Sequence, residues 1–141
     1  MKTTGISSLD HAPQVAAEWL NELNEALGWA DKSRSYLLLR ETLHAVRDFL
    51  TPDEAVDLAA QLPLLIRGIY YDGWKPSRTP KHPRSKQDFL DQVSTAFSAE
   101  PLEDPEAAVS AVFALLRRKA SPGELDQVAH AMRKSLRDLW T

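Results

Sequence analysis

Apolar side chains recur at steps of three and four along nearly the whole chain, the spacing that puts them on one face of an α-helix. Ala16, Trp19, Leu20, Leu23 and Leu27 predict a first helix over about 13–27, stopped by Gly28. Tyr36, Leu39, Leu43, Val46 and Leu50 predict a second over about 33–49, with Arg40, Glu41, His44, Arg47 and Asp48 mainly on its other side. Ala55, Leu58, Ala59 and Leu62 face inward from a third, which Pro63 ends. A short fourth helix over 64–70 then starts at a new angle. No stretch alternates with period two over strand length, so no sheet is expected.

The pattern then repeats. Residues 19–70 lie over 89–140 at a constant offset of 70 without a gap. Trp19 falls on Phe89, Leu43 on Phe113, Leu58 on Val128 and Tyr70 on Trp140. Only seven of the 52 aligned pairs are identical, so the repeat rests on apolar spacing and caps. Thr51-Pro52-Asp53-Glu54 reads as a capping box with proline at the first helical position. Ser121-Pro122-Gly123-Glu124 falls over it, Asp104-Pro105-Glu106 opens another helix, and Ser85 caps a helix ending near Ser98. The halves differ at Pro63, Leu64, Leu65 and Gly68, which become Arg133, Lys134, Ser135 and Asp138. The fourth helix of the first half is apolar nearly all round and is expected to lie buried between the halves.

These elements give an all-α fold of about eight helices in two pseudo-symmetric four-helix halves. A flexible tail covers 1–12, the first repeat 13–74, a basic proline-rich linker 75–85 and the second repeat 86–141, the two repeats packing as one domain. A chain of 141 residues has room for such a core. Its apolar content of 43% and charged content of 26% are ordinary globular values. The chain has no cysteine, which excludes disulfides, thiolate zinc sites and cysteine nucleophiles. No secretory signal and no membrane-length apolar run is visible, so a cytoplasmic location is expected.

The net charge is −3, which argues against a general nucleic-acid binder, yet residues 74–87 carry Lys75, Arg78, Lys81, Arg84 and Lys86 and no acid. That segment is +5, leaving −8 on the rest. Pro76, Pro80 and Pro83 are expected to keep it extended. Just before it, Tyr70, Tyr71 and Trp74 sit beside Gly68 and Gly73. Such aromatics at a joint either clamp the linker by packing or floor a partner pocket.

No constellation demands chemistry. The histidines His11, His44, His82 and His130 show no metal spacing and read as surface residues. The carboxylate pairs Glu22/Glu25 and Asp53/Asp57 lack the Glu-x-x-His of a di-metal bundle. There is no phosphate loop and no nucleophile elbow. No catalytic residue, metal or cofactor is assigned.

Leu43-His44-Ala45-Val46-Arg47-Asp48, Ala60-Gln61-Leu62-Pro63 and Arg67-Gly68-Ile69-Tyr70-Tyr71-Asp72-Gly73-Trp74 carry a family likeness. With the Trp19-Leu20 opening and the Phe89-Leu90 restart, the chain resembles the bacterial domain-of-unknown-function family DUF2267 over about 12–140. The resemblance implies an all-helical fold and no assigned activity. The expected function is a small non-catalytic protein-interaction module, by a protein partner or self-association. Its expected surface is Arg67, Tyr70, Tyr71, Trp74, Lys75, Arg78, Lys81 and Arg84. The alternative is binding of an anionic ligand or nucleic acid through the linker, and the third an enzyme with a site assembled from distant helices.

Overall fold

Local hydrogen bonds set where the helices begin. The Thr51 hydroxyl accepts from Glu54 N at 3.3 Å, and the Glu54 carboxylate accepts from Thr51 N at 3.0 Å. Ser85 and Asp88 form the same reciprocal box, and Asp104 accepts from Ala107 N at 3.1 Å. Each cap of this kind stabilises its helix by about 1 kcal/mol. The computed structural model describes residues 3–81 and 85–131, with Arg137 and Leu139 beyond them. Among these are seven α-helices and no strand: α1 Ser7–Leu27, α2 Lys32–Phe49, α3 Pro52–Ala59, α4 Leu64–Tyr71, α5 Lys86–Thr95, α6 Pro105–Lys119 and α7 Pro122–Ala131. The count is seven rather than about eight; the expected last helix, 133–140, lies outside the described residues except for Arg137 and Leu139.

The first helix starts at Ser7, well before Pro13. Thr4 donates to the Asp10 carboxylate from both its backbone N (2.8 Å) and its hydroxyl (2.9 Å), which holds the turn that opens α1. Pro13 therefore sits inside the helix, where its missing N–H removes one bond. Gly28 ends the helix in the left-handed conformation at φ 69°.

α2 is the central helix. It packs against α1, α3, α4, α5 and α6. Thr42, Leu43, His44, Ala45, Val46 and Arg47 are all buried, more than a full turn, so this stretch has no solvent side. The expected polar face of α2 is thus corrected at His44 and Arg47. Tyr36, placed on the seam by spacing, is exposed, and Leu38 beside it is buried.

The two parts of the chain interleave. α1 packs on α6 and α5 on α2, while α2 meets α6 and α3 meets α7. Phe49, Phe89 and Phe113 form an aromatic chain through the centre, with ring centroids 5.3 and 5.9 Å apart. On the flank, the Arg34 guanidinium lies between the Trp29 and Phe97 rings, 5.1 and 4.9 Å from their centroids. It also donates to the carbonyls of Glu100 and Pro101 at 2.8 and 3.1 Å, tying α2 to the segment after α5.

α4 is not buried between the halves. It lies on the outside against α1 and α2, with Ile66 and Tyr70 inward and Leu64 and Leu65 exposed. The central position that its apolar sequence suggested is taken by α2. Tyr70 nevertheless anchors it: the ring is fully buried and its hydroxyl donates to the Ala55 carbonyl at 2.8 Å. Tyr70→Phe should cost roughly 1–2 kcal/mol in urea unfolding, the range of a buried hydrogen bond. Tyr70→Ala should cost roughly 3–5 kcal/mol, as for other buried aromatics. Equal costs for both variants would contradict the packing role of the ring.

Candidate functional site

A helix leaves its last four carbonyls without internal partners, and its carboxyl end carries partial negative charge. At the end of α4 these groups face α2. His44 Nε2 donates to the Ile69 carbonyl at 2.7 Å. Arg47 Nη1 donates to the carbonyls of Tyr70 (2.6 Å) and Asp72 (2.7 Å), and its Nε donates to Asp48 Oδ1 at 3.1 Å. Arg47 is 5% exposed, so its charge is held by three acceptors rather than by water. Outside it, Arg40 pairs with Glu41 at 2.6 Å and with Asp72 at 3.5 Å.

The chain then turns. Gly73 takes φ 74°, a conformation that L side chains rarely adopt. Trp74 N donates to the Tyr71 carbonyl at 3.0 Å. The Tyr71 and Trp74 rings lie 5.4 Å apart, with Tyr70 edge-on to Tyr71. Tyr71 and Trp74 are half-buried against the core, and the Trp74 indole N–H is enclosed without a hydrogen-bond partner among the described residues.

The expected extended strap is instead a folded loop up to Lys81. Residues Pro76–Arg78 form one 3₁₀ turn, closed by Arg78 N to the Lys75 carbonyl at 2.9 Å. The Thr79 hydroxyl donates to the Pro76 carbonyl at 2.9 Å. Lys81 N donates to the Asp48 carbonyl at 2.8 Å, and Lys81 Nζ donates to Gln92, which in turn donates to Asp48 Oδ2 at 3.0 Å. The loop is thereby fixed to α2 and α5.

The eight expected site residues divide by what they touch. Arg67 points back to the end of α3, donating to the carbonyls of Ala59 and Leu62, both at 2.9 Å. Tyr70 is a core residue, and burial pushes its hydroxyl well above the usual phenol range. Tyr71 and Trp74 show only part of their surface. Lys75, Arg78 and Lys81 are exposed around a recess of about 130 Å³. Arg84 lies outside the described residues. His44, four residues from Asp48 on one face of α2, read as a surface histidine and Arg47 as part of the same polar stripe, whereas both are buried. The signal available was Arg47, one of the few residues identical across the offset of 70, at Arg117.

A larger open cleft of about 660 Å³ lies beside the recess, between α2 and α5. It shares Lys81 with the recess and presents Glu41, Asp88 and Asp91. Among the described residues no three side chains are grouped to hold a metal ion. None of their helices is long and apolar enough to cross a membrane.

The fold and joint define an all-helical protein in which buried polar side chains serve the ends of neighbouring helices. The chain belongs to the family described as "Uncharacterized conserved protein (DUF2267)", whose model matches residues 16–139. No curated protein matches the chain.

Two predictions follow from the α4 terminus. Arg47→Ala should destabilise by about 3 kcal/mol or more, since it strands buried carbonyls and Asp48. Arg47→Lys should recover less than half, because one ammonium lacks the planar fork that spans these acceptors. Full recovery by lysine in chemical denaturation would show that charge alone suffices. His44 is held below its ordinary value by burial, with Arg47 and Arg40 nearby adding to the effect and the Ile69 carbonyl and Glu41 opposing it. A histidine depressed in the folded state favours folding fully above its unfolded value of about 6.5 and less as pH falls below it. Stability should therefore drop as pH falls below about 6.5, and His44→Gln should flatten that drop. An unchanged slope in the variant would assign the pH response to other groups.

Proposed function

We propose that the protein is a non-catalytic protein-interaction module of the cytoplasm, built from two helical repeats, that docks a partner at the outer rim of the joint. The observation that carries this reading is the Tyr71–Trp74 pair, half-buried with the rings tilted against each other, next to Lys75 and Arg78 on a fixed loop. Rigid aromatics lose little conformational freedom on binding, and flanking cations steer an acidic surface toward them. The partner that fits is a protein presenting acidic side chains around an apolar contact. The repeat is supported by Arg67 and Arg137, identical residues at the offset of 70, which donate Nε to the carbonyls of Ala59 and Ala129 at 2.9 and 3.0 Å.

The test is affinity capture from lysate of the native organism, followed by binding measurements with the purified partner. Tyr71→Ala with Trp74→Ala, and separately Lys75→Glu with Arg78→Glu, should each weaken binding at least tenfold while the variants remain helical and cooperative in unfolding. A partner retained equally by both double variants would place docking elsewhere and overturn this reading.

A further inference from the structure

We propose that the recess between the loop 73–81 and the end of α2 is a binding site for a compact oxyanion of the phosphate class, either free phosphate or the phosphoryl group of a small monoester. Lys75, Arg78 and Lys81 line it, and none of the three is paired with a carboxylate among the described residues. Arg47 also lines it. This arginine is almost wholly buried, its Nε and Nη1 are committed, and its Nη2 takes no partner among the described residues. The one carboxylate in the lining, Asp48, is already engaged by Arg47 and Gln92. The recess thus carries three exposed cations beside the Arg47–Asp48 ion pair, a net charge of +3.

Shape and rigidity agree with that charge. A volume of about 130 Å³ gives room for one tetrahedral anion with its remaining waters. The loop is closed by its own 3₁₀ turn and tied to Asp48, so the backbone that carries these cations is held in place before an anion arrives. A nucleic-acid strand fits less well. It would leave the recess past Lys81 and meet Glu41, Asp88 and Asp91 in the adjoining cleft. Nucleic-acid grooves also track the backbone with cations over a longer path than this loop provides.

The site shares Lys75 and Arg78 with the docking rim but does not depend on a protein partner. The test is amide NMR of the full chain, titrated separately with inorganic phosphate, with glycerol phosphate and with a short single-stranded oligonucleotide, ionic strength being held constant with chloride. Phosphate or the monoester should give saturable shifts confined to 73–81 and the end of α2, the tighter of the two telling ion from ester. Lys75→Gln with Arg78→Gln, both exposed positions, should weaken the response at least tenfold, and Arg78→Lys should keep most of it. Binding of the monoester should also weaken below about pH 6, where a phosphomonoester loses its second charge. Trp74→Phe should leave it unchanged, which separates failure of this site from failure of the docking rim. Shifts that never saturate, that persist in the Lys75→Gln/Arg78→Gln variant, or that are surpassed per phosphate by the oligonucleotide would overturn the proposal.

Discussion

The interaction on which the structure depends is the bond set between buried Arg47 and the carboxyl end of α4. Burying a guanidinium costs several kcal/mol after relaxation, so it persists only where acceptors replace its water. Here the acceptors are the carbonyls of Tyr70 and Asp72 and the carboxylate of Asp48. The helix end in turn needs donors, because its last carbonyls have no intrahelical partners. Each side removes the other's penalty. The requirement fixes α4 against α2 with its carboxyl end toward Arg47, and His44 completes the set one carbonyl earlier.

That docking decides what the following segment can do. With α4 held at Tyr70, the Tyr70 ring enters the core and the chain must reverse at Asp72 and Gly73. Tyr71 and Trp74 then pack on the flank rather than open into a pocket. The loop beyond is held by backbone bonds to Asp48, the residue beside Arg47. The same end of α2 therefore supports the helix terminus, the aromatic pair and the cationic loop.

What was legible in the sequence is what short-range geometry decides. The boxes at Thr51 and Ser85 and the Asp104 cap are written in residues within three positions of each other. The apolar spacing gave the helical class and most inward positions, such as Leu23, Leu43 and Leu58. What was not legible depends on which helix lies in the middle. Periodicity places His44 and Arg47 on a polar stripe of α2, and only the arrival of α4 turns that stripe inward. Conversely, Leu64 and Leu65 read as core, yet α4 meets the body through Ile66 and Tyr70 and leaves them exposed. The linker misled for a related reason. Its prolines suggested an extended strap, whereas Pro76 opens a 3₁₀ turn and Lys81 is bonded to α2.

The division between inner and outer polar groups locates where a working surface can lie. Inside, Arg47, His44, Arg67 and Tyr70 are committed to main-chain carbonyls, and removing them would disturb the scaffold before any contact with another molecule. Outside, the loop holds its shape through backbone bonds and the Thr79 hydroxyl, none of which needs the side chain of Lys75 or Arg78. The chain has more acids than bases, twenty against seventeen, yet these two cations form no ion pair with a carboxylate among the described residues. Exposed charges contribute little to stability in any case. Folding thus makes no demand for cations at these two positions, and a change of either side chain should leave the scaffold intact.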